Sequence, residues 1–320
     1  MPHKLIKIKR VEDRGPTRPV MIAIAGDSAA GKTTLTAGLV TALGPERVTA
    51  ICVDDYHRYD RVERRAQPFT ALHPACNYVE IMEQHLQLLA TGQPILKPVY
   101  DHGSGRLVRP ELVEPREFVL VEGLLPLHTK LSRACFDLSI YLEPPEEIRH
   151  GWKVARDTEK RGYRPEAVLR ELEAREPESA AYIRPQSALA DVVVRFAPIA
   201  GRDDPPGTPL SAELVLRPSV QHPDLSRVLD NVERHAIHLK LTRDADGRPV
   251  DTLHVHGHAR RDESSEVKKA IWAQLGMAAG DPPSTLGTFG AGQHSEPLAI
   301  TQLLLLYHML DATAEARMSS

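Results

Sequence analysis

The segment Gly26-Asp27-Ser28-Ala29-Ala30-Gly31-Lys32-Thr33-Thr34 fits the pattern GxxxxGK[ST]. The apolar run VMIAIA precedes it, and a helical pattern over residues 32–43 follows. A strand entering a glycine-rich turn and then a helix aims several backbone N–H groups at one point. The positive end of the helix also favours anions there. Gly26 and Gly31 let the loop close on a triphosphate, lined by Asp27, Ser28, Ala29, Ala30 and Thr34. Lys32 is expected to reach the β- and γ-phosphates, and the Thr33 hydroxyl to bind Mg²⁺. A chance match on a turn is the competing account, and the flanking elements argue against it. The chain is therefore expected to hold a nucleoside triphosphate.

Two further groups could do chemistry beside it. FVLVEG is an apolar strand ending on Glu122, where a carboxylate could serve Mg²⁺ directly or through water. VDDYHRYDR, residues 53–61, crowds Asp54, Asp55, His57, Arg58 and Arg61 into one loop. A kinase acting on an alcohol needs a carboxylate near the hydroxyl as base and cations for any anionic tail of the acceptor. Loops at the carboxyl ends of parallel strands collect such groups. Taken alone, each could be a solvated polar feature.

The elements that must position these groups alternate. Strands are expected at VMIAIA, RVTAICV, FVLVEG and FDLSIYLE, and helices over 32–43, 77–91 and 145–162. Near-continuous apolar strands between helices imply an α/β fold with a mostly parallel central sheet covered by helices on both faces. Pro145, Glu146 and Glu147 suit the first turn of the third helix. On that helix Arg149, Lys153, Arg156 and Lys160 recur at helical spacing as one basic stripe. A stripe paired with Glu146 and Asp157 is the plainer alternative. ADVVVRF reads as another strand, and APIAGRDDPPGTP after it as a linker. IHLKLTRDADGRPVDTLHVHG reads as two strands about an Asp-Gly turn, and a last helix starts near Ser295.

Bulk properties narrow the function classes. The chain has 320 residues, 42% hydrophobic and 26% charged, with a net charge of −3. That supports a full core and gives no global basic field for nucleic acid or an anionic membrane. Cys52, Cys76 and Cys135 are too few and scattered for a disulfide framework. LAITQLLLLYHML is too short to span a bilayer. No apolar signal core follows the basic opening, so a cytoplasmic protein with no membrane or nucleic-acid partner is expected.

The order GDSAAGKTT, ICVDDYHRYDR, KPVYDHGSG, VLVEGLLPL, FDLSIYLEPPEEIRHGWKVARDTEKRG and PQSALADVVV resembles the phosphoribulokinases, above all the plant and cyanobacterial type, within the P-loop kinases. The resemblance covers about residues 20–196. It implies use of ATP and Mg²⁺ to phosphorylate ribulose 5-phosphate at its C1 hydroxyl. It implies Asp54 as base, with Lys32 and Asp157 also catalytic. His57, Arg61, Tyr100, His102, Lys153, Arg156 and Arg161 would contact the sugar phosphate, and Thr33 and Glu122 the metal. With the composition and patterning of the flanking segments, the expected organisation is an N-terminal arm over 1–19, a P-loop kinase domain over 20–197, a linker over 198–210 and a C-terminal α+β extension over 211–320. That extension contributes to assembly in the plant-like enzymes, so a homodimer is also implied.

The plant enzymes carry a cysteine just before the second glycine of the phosphate loop, where this chain has Ala30. Their second cysteine matches Cys52, so a thiol switch across the site is excluded. His254 and His256 have a metal-ligand spacing, but without a third ligand they read as part of an exposed edge strand. LGTFGAGQ reads as a loop before the last helix, and leucines 303–306 as deeply buried or in a subunit contact. Two rivals stand beside the sugar-phosphate kinase. One is a related kinase acting on uridine or another pentose phosphate. The other is a P-loop switch protein, for which the acidic pair and cationic helix would have no task.

Overall fold

The computed structural model describes residues 18–199, 209–229, 237–275, 281–290 and 292–318. Most of the N-terminal arm and of the linker lie outside the described residues. Along the chain the strands are β1 (Val20–Gly26), β2 (Val48–Cys52), β3 (Ile95–Asp101), β4 (Arg106–Val113), β5 (Phe118–Gly123), β6 (Leu138–Leu142), β7 (Val192–Ala197), β8 (Ser211–Leu216), β9 (Ile237–Arg243) and β10 (Pro249–Val255), then the short pair β11 (Thr288–Phe289) and β12 (Gln293–His294). The helices are α1 (Lys32–Leu43), α2 (Arg61–Arg64), α3 (Val79–Ala90), α4 (Lys130–Ala134), α5 (Glu146–Arg161), α6 (Pro165–Glu178), α7 (Leu225–Leu229), α8 (Arg261–Gln274) and α9 (Glu296–Met318).

The apolar runs become the buried centre of one sheet, in the order β2-β5-β1-β6-β7-β8-β10-β9. The first five strands run parallel, as expected for strands covered on both faces. Strand β8 then pairs antiparallel to β7, and β10 and β9 continue the same sheet. The segment beyond the linker thus extends the sheet of the first part. The strand carrying His254 is not an edge, which corrects the sequence expectation. β10 is hydrogen-bonded on both sides and β9 forms the rim. The His254 ring stacks on His238, with centroids 4.8 Å apart.

One face of the sheet is covered by α1, α8 and α9, the other by α3 with Leu72, Leu125 and Ile183. Leucines 303–306 are fully buried in α9, which is why their pattern shows no single apolar stripe. Helix α9 crosses α1 at Gly38, where a Cβ would fall 1.9 Å from Gln302 Nε2. Gln302 is itself buried, with its Oε1 accepting from Gly287 N at 2.7 Å.

Two features escape the sequence pattern. The antiparallel hairpin β3–β4 stands apart from the main sheet, with β4 exposed along most of its length. Exposure removes the alternation that marks a half-buried strand. Helix α6 contains Pro177 and passes into a π-helical turn, Ser179–Ile183. Proline removes one helical donor and crowds the preceding turn, a recognised origin of such irregularity.

Candidate active site

Parallel register brings three strand ends together. Ile24 and Cys52 both lie opposite Glu122, and Ala25 lies opposite Gly123. The phosphate loop after β1, Glu122 at the end of β5 and the acidic loop after β2 therefore share one edge of the sheet.

The loop is built as its sequence requires. Gly26 has φ +149°, and a Cβ there would sit 2.8 Å from the carbonyl oxygen of Leu142. Gly31 has φ +97°, a left-handed conformation that glycine adopts at little cost. Ala29 is also left-handed, at φ +65°. Lys32 Nζ donates to the carbonyls of Gly26 and Asp27, at 2.8 Å each, so the ammonium lies across the loop. Burial pushes its pKa down, against the pull of Asp54, Asp27 and Glu122. Thr34 is exposed on the first turn of α1.

The Asp27 carboxylate is engaged by protein groups. It accepts from Ser28 N at 2.5 Å and from the Ser179 hydroxyl, and pairs with Arg149 at 3.4 Å. Its part in the loop is played by its carbonyl toward Lys32.

Glu122 meets two hydroxyls: Thr33 Oγ1 donates to Oε1 at 3.2 Å and Thr36 Oγ1 to Oε2 at 2.8 Å. All these groups are hard oxygen donors, the set Mg²⁺ prefers alongside water and phosphate oxygens. The residues present fit that ion, with Thr33 and Glu122 as the groups that would hold it. Thr36 was not singled out from sequence, although three residues after Thr33 on a helix is the same face.

On the acceptor side, the two neighbouring aspartates part company. Asp55 is bound by Lys97 and accepts from Tyr100 N at 3.1 Å. Asp54 has no hydrogen bond or ion pair to its carboxylate among the described residues, and its charge acts on both Lys32 and His57. The Tyr100 ring lies edge-to-face between His57 at 4.8 Å and His102 at 5.1 Å. Arg61 donates to the His102 carbonyl at 2.6 Å. His57, Arg61, Tyr100 and His102 are thus one cluster, held by the hairpin that Asp55 anchors. Arg64 joins it unforeseen, with its guanidinium 5.9 Å from the centre of the Tyr100 ring. Arg64 Nη1 and the Tyr100 hydroxyl are buried without hydrogen-bond partners.

The basic stripe of α5 is largely spent on protein carboxylates. Asp157, 2% exposed, takes Lys153 at 2.8 Å, Arg156 at 2.9 Å and Arg161 at 3.3 Å. Burial raises its pKa, but the bonds from Arg156 and Lys153 hold it below the ordinary range overall. Lys153 is equally buried and also faces Glu171. In this structure Asp157 and Lys153 are interior ion-pair partners. Arg149 is buried against Asp27 and Glu146. Arg156 keeps an outer side, with Nη2 3.5 Å from Ser28 Oγ on the phosphate loop. Arg161 is 40% exposed. The Lys160 side chain lies outside the described residues.

The sequence model of the phosphoribulokinase/uridine kinase family matches residues 21–200. The chain belongs to this family. Among curated members, a phosphoribulokinase of Synechocystis is 41% identical over 204 residues, covering 64% of this chain and 61% of that one. A chloroplastic phosphoribulokinase of Mesembryanthemum crystallinum is 35% identical over 228 residues, covering 65% and 57%. The chain thus spans less than two thirds of the length of these relatives. Among solved structures, the phosphoribulokinase of Rhodobacter spheroides superposes with a TM-score of 0.57 at 17% identity, over 76% of this chain and 91% of that one. This family member shares the fold of that enzyme, a mostly parallel sheet flanked by helices.

Proposed function

We propose that the chain transfers the terminal phosphoryl group of ATP to a hydroxyl of a phosphorylated sugar, with ribulose 5-phosphate as acceptor. The observation that carries the reading is the unpaired Asp54 carboxylate at the sheet edge. It lies within the field of Lys32 and beside the His57–Tyr100–His102–Arg61 cluster. Asp54 takes the proton of the attacking hydroxyl. Lys32 neutralises charge on the transferring phosphoryl, and Arg156 adds a cation on the nucleotide side. Mg²⁺ at Thr33 and Glu122 would supply charge neutralisation for the triphosphate when bound. Arg61, Arg64 and the Tyr100 hydroxyl supply the donors a sugar phosphate needs. The names of the family relatives support the same acceptor.

The test is ADP release with Mg·ATP and ribulose 5-phosphate, ribose 5-phosphate, uridine or no acceptor. Turnover with ribulose 5-phosphate well above the others is expected. Preference for uridine would move the chain to a nucleoside kinase, and equal slow release in all four arms to a nucleotide switch.

A further inference from the structure

The acidic loop and the turn before α3 are stitched together by main chain. Arg58 N donates to the Cys76 carbonyl at 2.8 Å, and Tyr78 N to the Tyr56 carbonyl at 2.7 Å. Between these bonds His57 and Asn77 face each other, 4% and 5% exposed. Their side chains meet through Nδ1 and Oδ1 at 2.7 Å.

The far end of the amide decides how to read that contact. Asn77 Nδ2 donates to the carbonyls of Ala71 at 3.1 Å and His73 at 3.0 Å. Both amide protons are thereby committed, and the atom left toward the ring is an oxygen, which only accepts. The imidazole must carry its proton on Nδ1, which leaves the Nε2 lone pair unprotonated. No group among the described residues hydrogen-bonds Nε2.

The surroundings favour the uncharged ring. Burial pushes the His57 pKa down, and Arg64 of α2 and His102 at the end of β3 push the same way. Asp54 and the Asn77 bond oppose them without prevailing. A neutral nitrogen with a free lone pair repels phosphate oxygens and attracts hydroxyl protons. His57 is therefore unsuited to the anionic end of an acceptor, where Arg61 and Arg64 remain.

We propose that Asn77 is a positioning residue of the acceptor site: by fixing His57 as the Nδ1–H tautomer, it makes Nε2 the atom that accepts a hydrogen bond from a hydroxyl of the acceptor. The role assigned to the hydroxyl rests on the kinase reading above; the tautomer does not.

The first test needs no substrate. Nitrogen-15 NMR of the full chain labelled at histidine, with His57 assigned by the loss of its signals in His57→Gln, should show Nδ1 protonated and Nε2 bare. The ring should be neutral at pH 7 and take its proton at a lower pH than an exposed histidine. An Nε2–H tautomer, or a ring charged at pH 7, overturns the proposal whatever the activity. Failure to turn over ribulose 5-phosphate would instead overturn the kinase reading and leave this result standing. The second test is the pH profile of Asn77→Asp, which keeps an oxygen toward Nδ1 but adds a charge that stabilises the imidazolium. Its acid limb in kcat/KM for ribulose 5-phosphate should move up by about one to two pH units, while the limb for Mg·ATP stays in place. An unmoved limb in the folded variant overturns the proposal; if the variant does not fold, the NMR result on the unaltered chain decides.

Discussion

The Lys97 ammonium is locked onto the Asp55 carboxylate, a link that joins the acidic loop to hairpin β3–β4. With Tyr100 N on its other oxygen, Asp55 is committed to holding the acceptor cluster. Asp54→Asn should therefore lower kcat by about a hundred- to ten-thousand-fold, the loss expected for a general base, with little change in either KM. Asp55→Asn should act mainly through a raised KM for the acceptor as the hairpin loosens. Steady-state kinetics of both variants decide it, and a larger kcat loss in Asp55→Asn would move the base by one residue.

Arg156 was expected from sequence at the acceptor, yet its guanidinium lies by Ser28. Arg156→Ala should raise KM for Mg·ATP by about ten- to a hundred-fold, the cost of a charge-assisted contact to phosphate. KM for ribulose 5-phosphate should change much less. The reverse pattern would restore the acceptor role.

Asp157→Asn would leave three cations around a neutral amide. Removing one partner of a buried ion pair costs about 3–5 kcal/mol; Arg156 and Arg161 reach solvent, so the low end is expected. The Asp157 carboxyl is depressed in the folded chain. Its stabilisation is thus fully present above the ordinary carboxylate range and is lost as pH falls through the folded value. Denaturant midpoints of the two proteins should draw closer as pH falls below the ordinary carboxylate range. A constant difference between them would show that Asp157 acts through packing alone.

Gly38→Ala sets two effects against each other. In a helix interior alanine is favoured over glycine by about 1 kcal/mol, while overpacking costs about 1–3 kcal/mol. Gln302 is fully buried and tied to Gly287, so it cannot swing away. Net destabilisation is expected in the unaltered chain and stabilisation in a Gln302→Ala background. Urea midpoints of the four proteins provide the test.

Oxidation should leave turnover unchanged. Burial pushes the Cys52 thiol pKa well up, with Asp54 and Glu122 adding to the shift, so little thiolate forms. Ala30 offers no sulfur partner. Assays after mild oxidant and again after dithiol should agree, and a reversible loss traced to Cys52 would contradict this account.

The phosphate loop, Glu122 and Asp54 were legible in sequence because each sits at the end of a strand whose apolar run announces it. Parallel register then forces those ends together. The α5 stripe was misleading for a related reason. Helical spacing shows which side chains share a face. Glu146 and Asp157 of the same helix pair with Arg149 and Lys153, the plainer alternative, while Asp27 and Glu171, which complete the pairing, come from other elements. The hairpin and Asn77 left no pattern at all. One strand of the hairpin is exposed, and the importance of Asn77 lies in three bonds that appear only after the chain has closed on itself.

The contact between Gly38 and Gln302 also bears on how the chain reaches this state. It joins helices from opposite ends of the described chain, so the side of α1 that carries Gly38 stays uncovered until α9 has been synthesised and docked. Contacts of such wide sequence separation pay their loop-closure entropy before any reward, which slows folding and prolongs exposure of sticky surface. A ribosome-bound intermediate lacking α9 would be a natural client for chaperones that shield apolar helices. A fragment ending at the linker would keep every residue of the proposed active site and still be prone to aggregate.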